Sequence, residues 1–150
     1  MGAAKSHKLV KLVIGMISNE PDLIMKVEKQ LEWKFGKIDF RTALLDFSYT
    51  DYYAPEMGQS LKRQFISFRK LVDPVILPKI KRLTNRMELR LSRENGKPSR
   101  RINIDPGYVT DAKLVLATTK DNAHRIYLNS GVFAEITLRY VDRSFSPWEW

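Results

Sequence analysis

The opening segment of the chain, which ends at Gly36, constrains the fold more than any other part. Residues 9–17 are almost continuously apolar and rich in valine and isoleucine, which is typical of a central strand covered on both faces. A helix start follows, because Ser18 or Asn19 can cap and Pro21 suits a first turn. Apolar residues then recur at helical spacing, so the segment predicts a strand followed by an amphipathic helix.

The middle of the chain predicts further strands and a second long helix. Strands are expected within 37–47 and 61–68, and the turn-rich stretch 48–58 is expected to be a loop. Asp73-Pro74 has the composition of a helix start, and apolar residues recur at helical spacing from Ile76 to Leu91. The motif Gly96-Lys97-Pro98 is expected to end this helix.

The last third of the chain predicts mainly strands. Residues 101–105 read as a strand that ends at a Pro-Gly turn, and 124–128 and 132–140 as a β-hairpin closed at Gly131. Segment 112–118 can form a strand or a short helix, and its composition and a capping Asp111 favour the helix. The predicted core comprises Val10, Leu12, Ile14, Leu23, Val27, Leu31, Ile80, Leu83, Met87, Ile102, Leu116, Ile126, Leu128, Ile136 and Leu138.

Together these elements predict one α+β domain with a mixed, mainly antiparallel sheet and two main helices packed on it. Residues 1–7 are expected to be a disordered leader, and 8–150 the domain. The order of the strands and the oligomeric state do not follow from the sequence.

Composition excludes several classes of protein and site. The 150 residues include no cysteine, which excludes disulfides, thiol catalysis and zinc–thiolate sites. No apolar run reaches the roughly 20 residues that span a bilayer, and no signal peptide is legible. We therefore expect a cytoplasmic protein with no membrane partner. The net charge of +9 favours an anionic partner such as a nucleotide or RNA.

Part of this charge lies on the second predicted helix, where cations three and four residues apart share one face. This face is either a phosphate-binding surface for nucleic acid or an ordinary solvated helix face. Its members are Lys79, Arg82, Arg86, Arg90 and Arg93. No aromatic residue alternates with them on that helix, so the sequence gives no support for base stacking there.

The stretch 102–139 carries more ionisable groups between its apolar runs than core packing explains. Asp105, His124 and Glu135 could together bind a divalent cation, or act as an acid–base group centred on the histidine. The ordinary structural roles are a turn-forming aspartate, a histidine at a strand end and a glutamate paired across the hairpin. Neither set of roles is excluded by the spacing.

Basic and hydroxyl side chains nearby suit a phosphate-bearing ligand, and Tyr52 or Tyr53 could stack on its ring. The candidate ligand-binding residues are Lys62, Arg63, Tyr108, Thr119, Lys120, His124 and Arg125. Three functions remain open: a small module that binds a nucleotide or RNA, an enzyme that uses Asp105, His124 and Glu135 with or without a metal, and an interaction protein anchored by Trp148 and Trp150.

Several blocks in order resemble the uncharacterised prokaryotic family called domain of unknown function 4416. They read KLVIGMISNEP, FGKIDF, TDYYAPEMG, LKRQFISF, IDPGYVT, LVLATTKDNAHRIYL and VFAEITLRY. Members are often labelled GTP-binding, yet this chain has no GxxxxGK[ST] loop, and Thr119-Lys120-Asp121 lacks the spacing of a guanine-reading motif. The resemblance also implies chains that continue past the equivalent of Ser146-Pro147-Trp148 with an aromatic tail, whereas this sequence stops at Trp150. If that tail closes a pocket, we expect any site here to be incomplete.

Overall fold

The computed structural model describes residues 1–93 and 99–149, which form nine strands in one antiparallel sheet and three α-helices. The strands are β1 Lys11–Ser18, β2 Ile38–Arg41, β3 Leu45–Asp46, β4 Lys62–Phe68, β5 Asn103–Val109, β6 Lys113–Thr118, β7 Arg125–Asn129, β8 Val132–Val141 and β9 Ser144–Ser146. The helices are α1 Pro21–Phe35, α2 Ala54–Met57 and α3 Leu77–Arg90. The strand order is β2-β4-β1-β5-β6-β8-β7, with β3 beside β4 and β9 beside β8.

Strands β1, β2, β4 and β5 and helices α1 and α3 form a β-α-β-β-α-β unit, and β1 and β4 are its two inner strands. One side of each strand in this unit packs against α1 and α3, because alternate residues of a strand point to the same face. Leu12, Ile14 and Met16 of β1 are fully buried there, together with Ile24 of α1 and Phe68 of β4. The predicted α+β class and the helices packed on a sheet are confirmed.

Strands β6 to β9 extend this sheet on the far side of β5. The helix favoured for 112–118 is wrong, since β6 is paired with β5 along one edge and with β8 along the other. These ladder bonds outweigh the modest helix propensity of alanine, lysine and leucine. The β7–β8 hairpin is confirmed, and Ser130 and Gly131 both have positive φ in its turn.

The predicted turn at Pro106-Gly107 is also wrong, because both residues lie inside β5. A Cβ on Gly107 would stand 2.4 Å from the carbonyl oxygen of Val115 in β6, so only glycine allows this approach. Pro106 marks a fork. Strands β5 and β6 pair from Gly107 onward, whereas 103–106 and the end of β6 have no ladder between them. A proline fits the unpaired side because it has no N–H to leave unsatisfied.

The helix ends differ in detail from the expectation. Glu20 is the N-cap residue of α1, and the Ser18 hydroxyl accepts its N–H at 3.0 Å. Asp73 caps a 3-10 turn at 74–76 that leads into α3. Helix α3 ends at Arg90, and the Gly96-Lys97-Pro98 motif lies outside the described residues. The stretch 48–58 contains the short α2 rather than a simple loop.

Nine of the fifteen predicted core residues are buried, Leu83, Leu116 and Leu138 are half-buried, and three in the β7–β8 hairpin are exposed. Ile126 is 67% exposed, Leu128 38% and Ile136 37%. The hairpin lies at the end of the sheet. Helix α3 reaches only the start of β8, where Leu77 packs against Val132, so the alternating apolar residues farther along the hairpin are not covered. Among the described residues, no helix has the length and apolarity needed to cross a membrane.

Candidate functional site

The fork between β5 and β6 opens a cleft with a volume of about 620 Å³. Four parts of the fold line it: the inner side of α3, the start of β5 with Arg100 before it, the loop and helix around α2, and residues of β6, β7 and β8. Its lining residues are Tyr52, Tyr53, Glu56, Lys81, Asn85, Glu88, Leu89, Arg100, Asn103, Asp105, Leu116, Ala117, Thr118, Thr119, Lys120, Arg125 and Glu135. This size suits a small ligand, since such sites run from about 300 to 1,000 Å³.

A continuous polar network covers the β5 side of the cleft. Arg100 makes a two-point ion pair with Glu56 and donates to the Asn103 amide oxygen at 2.9 Å. The Asn103 amide then donates to Asp105 at 2.7 Å, and the ammonium of Lys81 donates to the other oxygen of Asp105 at 3.0 Å. The Arg100 contacts hold the pKa of Glu56 below its usual range. The network fixes the positions of these side chains before any ligand binds.

Glu88 of α3 seals the open edge of β5. Its carboxyl oxygen accepts the Ile104 N–H at 2.7 Å, in place of a strand partner. The side chain is 8% exposed, and this burial raises its pKa to about 7 because the charged form loses its water. Near neutral pH Glu88 is therefore partly protonated, although it contacts the cleft.

The opposite side of the cleft carries Lys120, whose ammonium contacts the hydroxyl of Tyr52 and lies 4.3 Å from the centre of its ring. This contact lowers the pKa of Tyr52. Its neighbour Tyr53 is half-buried, and the loss of water raises its pKa to about 12. Among the described residues Lys120 makes no ion pair with a carboxylate, so it is the cleft cation best placed to receive an anion.

Glu135 joins two basic side chains on this side of the cleft. It lies 2.5 Å from Nε2 of His124 and 3.2 Å from Nε of Arg125, and Arg125 also donates to the Lys120 carbonyl at 2.9 Å. Burial opposes its ionisation, but the hydrogen bonds from His124 and Arg125 outweigh it and lower the pKa of Glu135. The arrangement can hold or transfer a proton between imidazole and carboxylate.

The candidate residues from the sequence fall into two groups. Thr119, Lys120 and Arg125 line the cleft, and His124 contacts its lining residue Glu135. The other three lie elsewhere: Lys62 pairs with Asp46, Arg63 stacks against Phe47, Tyr49 and Phe65, and Tyr108 packs against a small apolar cluster. Lys62 and Arg63 lie on β4, two strands away from β5, and Tyr108 lies in the part of β5 that is paired with β6, so none of the three lines the cleft.

Asp105 and Glu135 both line the cleft, but on opposite walls. The described residues include no group of three histidine, aspartate or glutamate side chains arranged to hold a metal ion. The proposed set of Asp105, His124 and Glu135 therefore does not converge on one point. Asp105 instead bonds to Lys81 and Asn103.

The cleft residues on α3 and the Glu56–Arg100 pair were not predicted from the sequence. Lys81, Asn85 and Glu88 recur at helical spacing on the inner side of α3, where polar residues interrupt an otherwise apolar surface. That interruption of the apolar surface is the sequence pattern that could have indicated these residues. No local pattern indicates that Glu56 and Arg100 form a pair, because they are 44 positions apart in the sequence.

All five basic candidates are exposed: Lys79, Arg82, Arg86 and Arg90 lie on α3, and Arg93 lies just beyond its end. The fifth, Arg93, donates to the Glu56 and Arg100 carbonyls and so joins the structure around the cleft. Trp148 is half-buried, donates to the Ile136 carbonyl at 2.8 Å and lies under Arg139. Trp150 lies outside the described residues.

Comparison with known proteins gives one finding. No curated protein and no solved structure matches the chain. A family model, described as Domain of unknown function (DUF4416), matches residues 8–150, which is nearly the whole chain. The cleft and its polar network therefore lie within the matched region, and the chain belongs to the DUF4416 family.

Proposed function

We propose that the cleft binds a small phosphate-bearing ligand with an aromatic ring, of the nucleotide class. The observation that carries the proposal is Lys120, an exposed ammonium without a described carboxylate partner at the mouth of a cavity of ligand size. The other cleft cations, Lys81, Arg100 and Arg125, each pair with a carboxylate.

In this proposal the phosphate is bound by Lys120 and the hydroxyls of Thr118 and Thr119 at the end of β6. The ring stacks on Tyr52, which is 56% exposed beside that ammonium. Asn85 lies on the α3 wall, and no described residue makes a hydrogen bond with its side-chain amide. It is the natural partner for a polar edge of the base.

The test is a thermal-unfolding panel with nucleoside mono-, di- and triphosphates, inorganic phosphate and sugar phosphates at low salt. A ligand at 100 times its dissociation constant adds about 2.7 kcal/mol, which raises the Tm by roughly 5–10 °C for a chain of this size. Lys120→Ala should abolish the shift. Lys113→Ala, at the other end of β6 and outside the cleft lining, is the matched control.

Tyr52→Ala separates ring stacking from phosphate binding. It should lower the affinity for nucleotides by about 5- to 100-fold and leave the affinity for inorganic phosphate and sugar phosphates unchanged. A nucleotide shift that survives Lys120→Ala, or no shift with any member of the panel, would contradict the proposal.

A second candidate is an enzyme that uses the His124–Glu135 pair as its acid–base group, and the observation that favours it is the 2.5 Å contact beside the cleft. Its test is turnover of any ligand that binds, measured as product release. His124→Gln should abolish turnover while binding persists, and unchanged turnover would exclude the histidine. An interaction role for the two C-terminal tryptophans remains a prediction, and Trp148 packs on β8.

A further inference from the structure

The outward surface of the two long helices is strongly basic. Seven exposed cations lie on α1 and α3, against two exposed carboxylates, Asp22 and Glu32, so this surface carries a net +5 of the chain's +9. The seven, which we call the basic helix face, are Lys26, Lys29, Lys34, Lys79, Arg82, Arg86 and Arg90. None of them pairs with a carboxylate of the described residues.

An exposed tryptophan stands within this face. Trp33 of α1 is 85% exposed, whereas tryptophan is usually largely buried. It lines a groove between the helices together with Lys29, Lys34 and Arg90, and Met87 and Leu91 are among the apolar residues that line the same groove. The helix α3 sequence alone has no aromatic residue among its cations, and the packing of α1 beside it supplies one.

The spacing of these groups suits an extended polyanion. The four cations of α3 recur every three or four residues from Lys79 to Arg90, so they form a row about 16 Å long. Trp33 and Lys34 lie across the groove at the Arg90 end. A nucleic-acid strand whose phosphates contact this row of α3 cations would place one of its bases next to the indole ring of Trp33.

We propose that the basic helix face binds single-stranded nucleic acid, with phosphates on the α3 cations and a base stacked on Trp33. A single strand is favoured over a duplex because stacking on a protein ring needs an unpaired base. It is favoured over a membrane surface because interfacial helices insert a broad apolar face, whereas α1 and α3 direct theirs into the core. This site is separate from the cleft and does not depend on the nucleotide proposal.

The experiment measures binding of fluorescently labelled oligouridylate and oligodeoxyuridylate, which differ only in the sugar, by anisotropy over a series of salt concentrations. Each phosphate contact contributes about 0.7 to the slope of log K against log salt. The double variant R82Q/R86Q should therefore lower the slope by about 1.4. The control K113Q/R143Q removes the same charge from exposed or half-buried positions in the β6–β9 region and should change the slope much less.

Trp33→Ala tests the stacking separately. It should weaken binding by about 5- to 100-fold without changing the salt slope. All the substituted side chains are at least partly exposed, and circular dichroism checks that each variant is folded. A preference between the two oligonucleotides identifies the ribose or deoxyribose partner.

Three results would overturn the proposal. The first is absence of oligonucleotide binding at low salt. The second is an equal decrease of the salt slope in R82Q/R86Q and K113Q/R143Q, which would mean that net charge alone drives the association. The third is Trp33-dependent binding to vesicles containing phosphatidylserine with no binding to either oligonucleotide, which would assign the face to a membrane surface.

Discussion

Replacing Glu88 with glutamine should remove a pH dependence of stability that this one side chain creates. Glu88 is 8% exposed and accepts the Ile104 N–H at 2.7 Å. Burial raises its pKa from 4.5 to about 7 in the folded chain. Between these values the folded state binds more protons than the unfolded state, so the free energy of unfolding falls as the pH rises.

The magnitude follows from the difference of the two pKa values. The stabilisation is fully present below pH 4.5 and is lost as the pH rises through about 7. One pKa unit corresponds to about 1.4 kcal/mol, so the free energy of unfolding should decrease by about 2 to 3 kcal/mol between pH 5 and pH 8 from this group alone. Glutamine keeps an oxygen for the Ile104 N–H but does not ionise, so Glu88→Gln should lack this decrease.

The assay is urea unfolding at pH 5, 6, 7 and 8, followed by circular dichroism, for the wild type, Glu88→Gln and Asp111→Asn. Asp111 is exposed in the turn between β5 and β6, so its replacement changes the net charge equally without a buried group. The difference between wild type and Glu88→Gln should grow by about 2 to 3 kcal/mol over this range. Parallel curves for all three proteins would refute the reasoning and mean that Glu88 is charged in the folded protein throughout.

Four further substitutions test the packing and the cap of the turn before α3. Gly107→Ala should lower the free energy of unfolding by about 1–3 kcal/mol or more, because the new Cβ meets a fixed carbonyl 2.4 Å away. Gly15→Ala should lower it less, because its nearest contact is a ring carbon of Phe65 at 2.9 Å, and a side-chain ring can move. If Gly15→Ala proved the more destabilising of the two in thermal unfolding, the result would be inconsistent with the register of β5 and β6. Asp73→Ala removes the hydrogen bond that caps the turn before α3 and should cost about 1 kcal/mol in urea unfolding, whereas no change would show that solvent replaces the cap. Phe68→Ala empties a fully buried site and should cost about 3–5 kcal/mol; a loss below 1 kcal/mol would argue against this core.

The parts of the fold that the sequence predicted are those with a local physical signal. The apolar run of β1, the stripes of α1 and α3 and the glycine turn of the last hairpin each depend on neighbouring residues. Strand β6 was mistaken for a helix because its state depends on two partner strands. The Pro-Gly turn was wrong for a similar reason, since a strand edge without a partner tolerates proline.

The cleft could be predicted only in part. Lys120, Arg125 and Glu135 stand close together in the sequence and in the fold. The network on the other wall joins Arg100 to Glu56 over 44 positions and Lys81 to Asp105 over 24. No short-range pattern encodes such pairs, and strand order was needed to bring them together.

Pro106 gives the cleft a permanence that side-chain packing alone would not. A sheet that forks can in principle zip shut, since each new ladder bond favours the next. Ile104, two residues earlier on the same edge of β5, already donates its N–H to Glu88, and at Pro106 the backbone has no donor to offer. The β5–β6 ladder therefore cannot extend past Pro106 by backbone hydrogen bonds. The cleft is open because of the proline in the covalent chain, and no bound ligand is needed to keep the two strands apart.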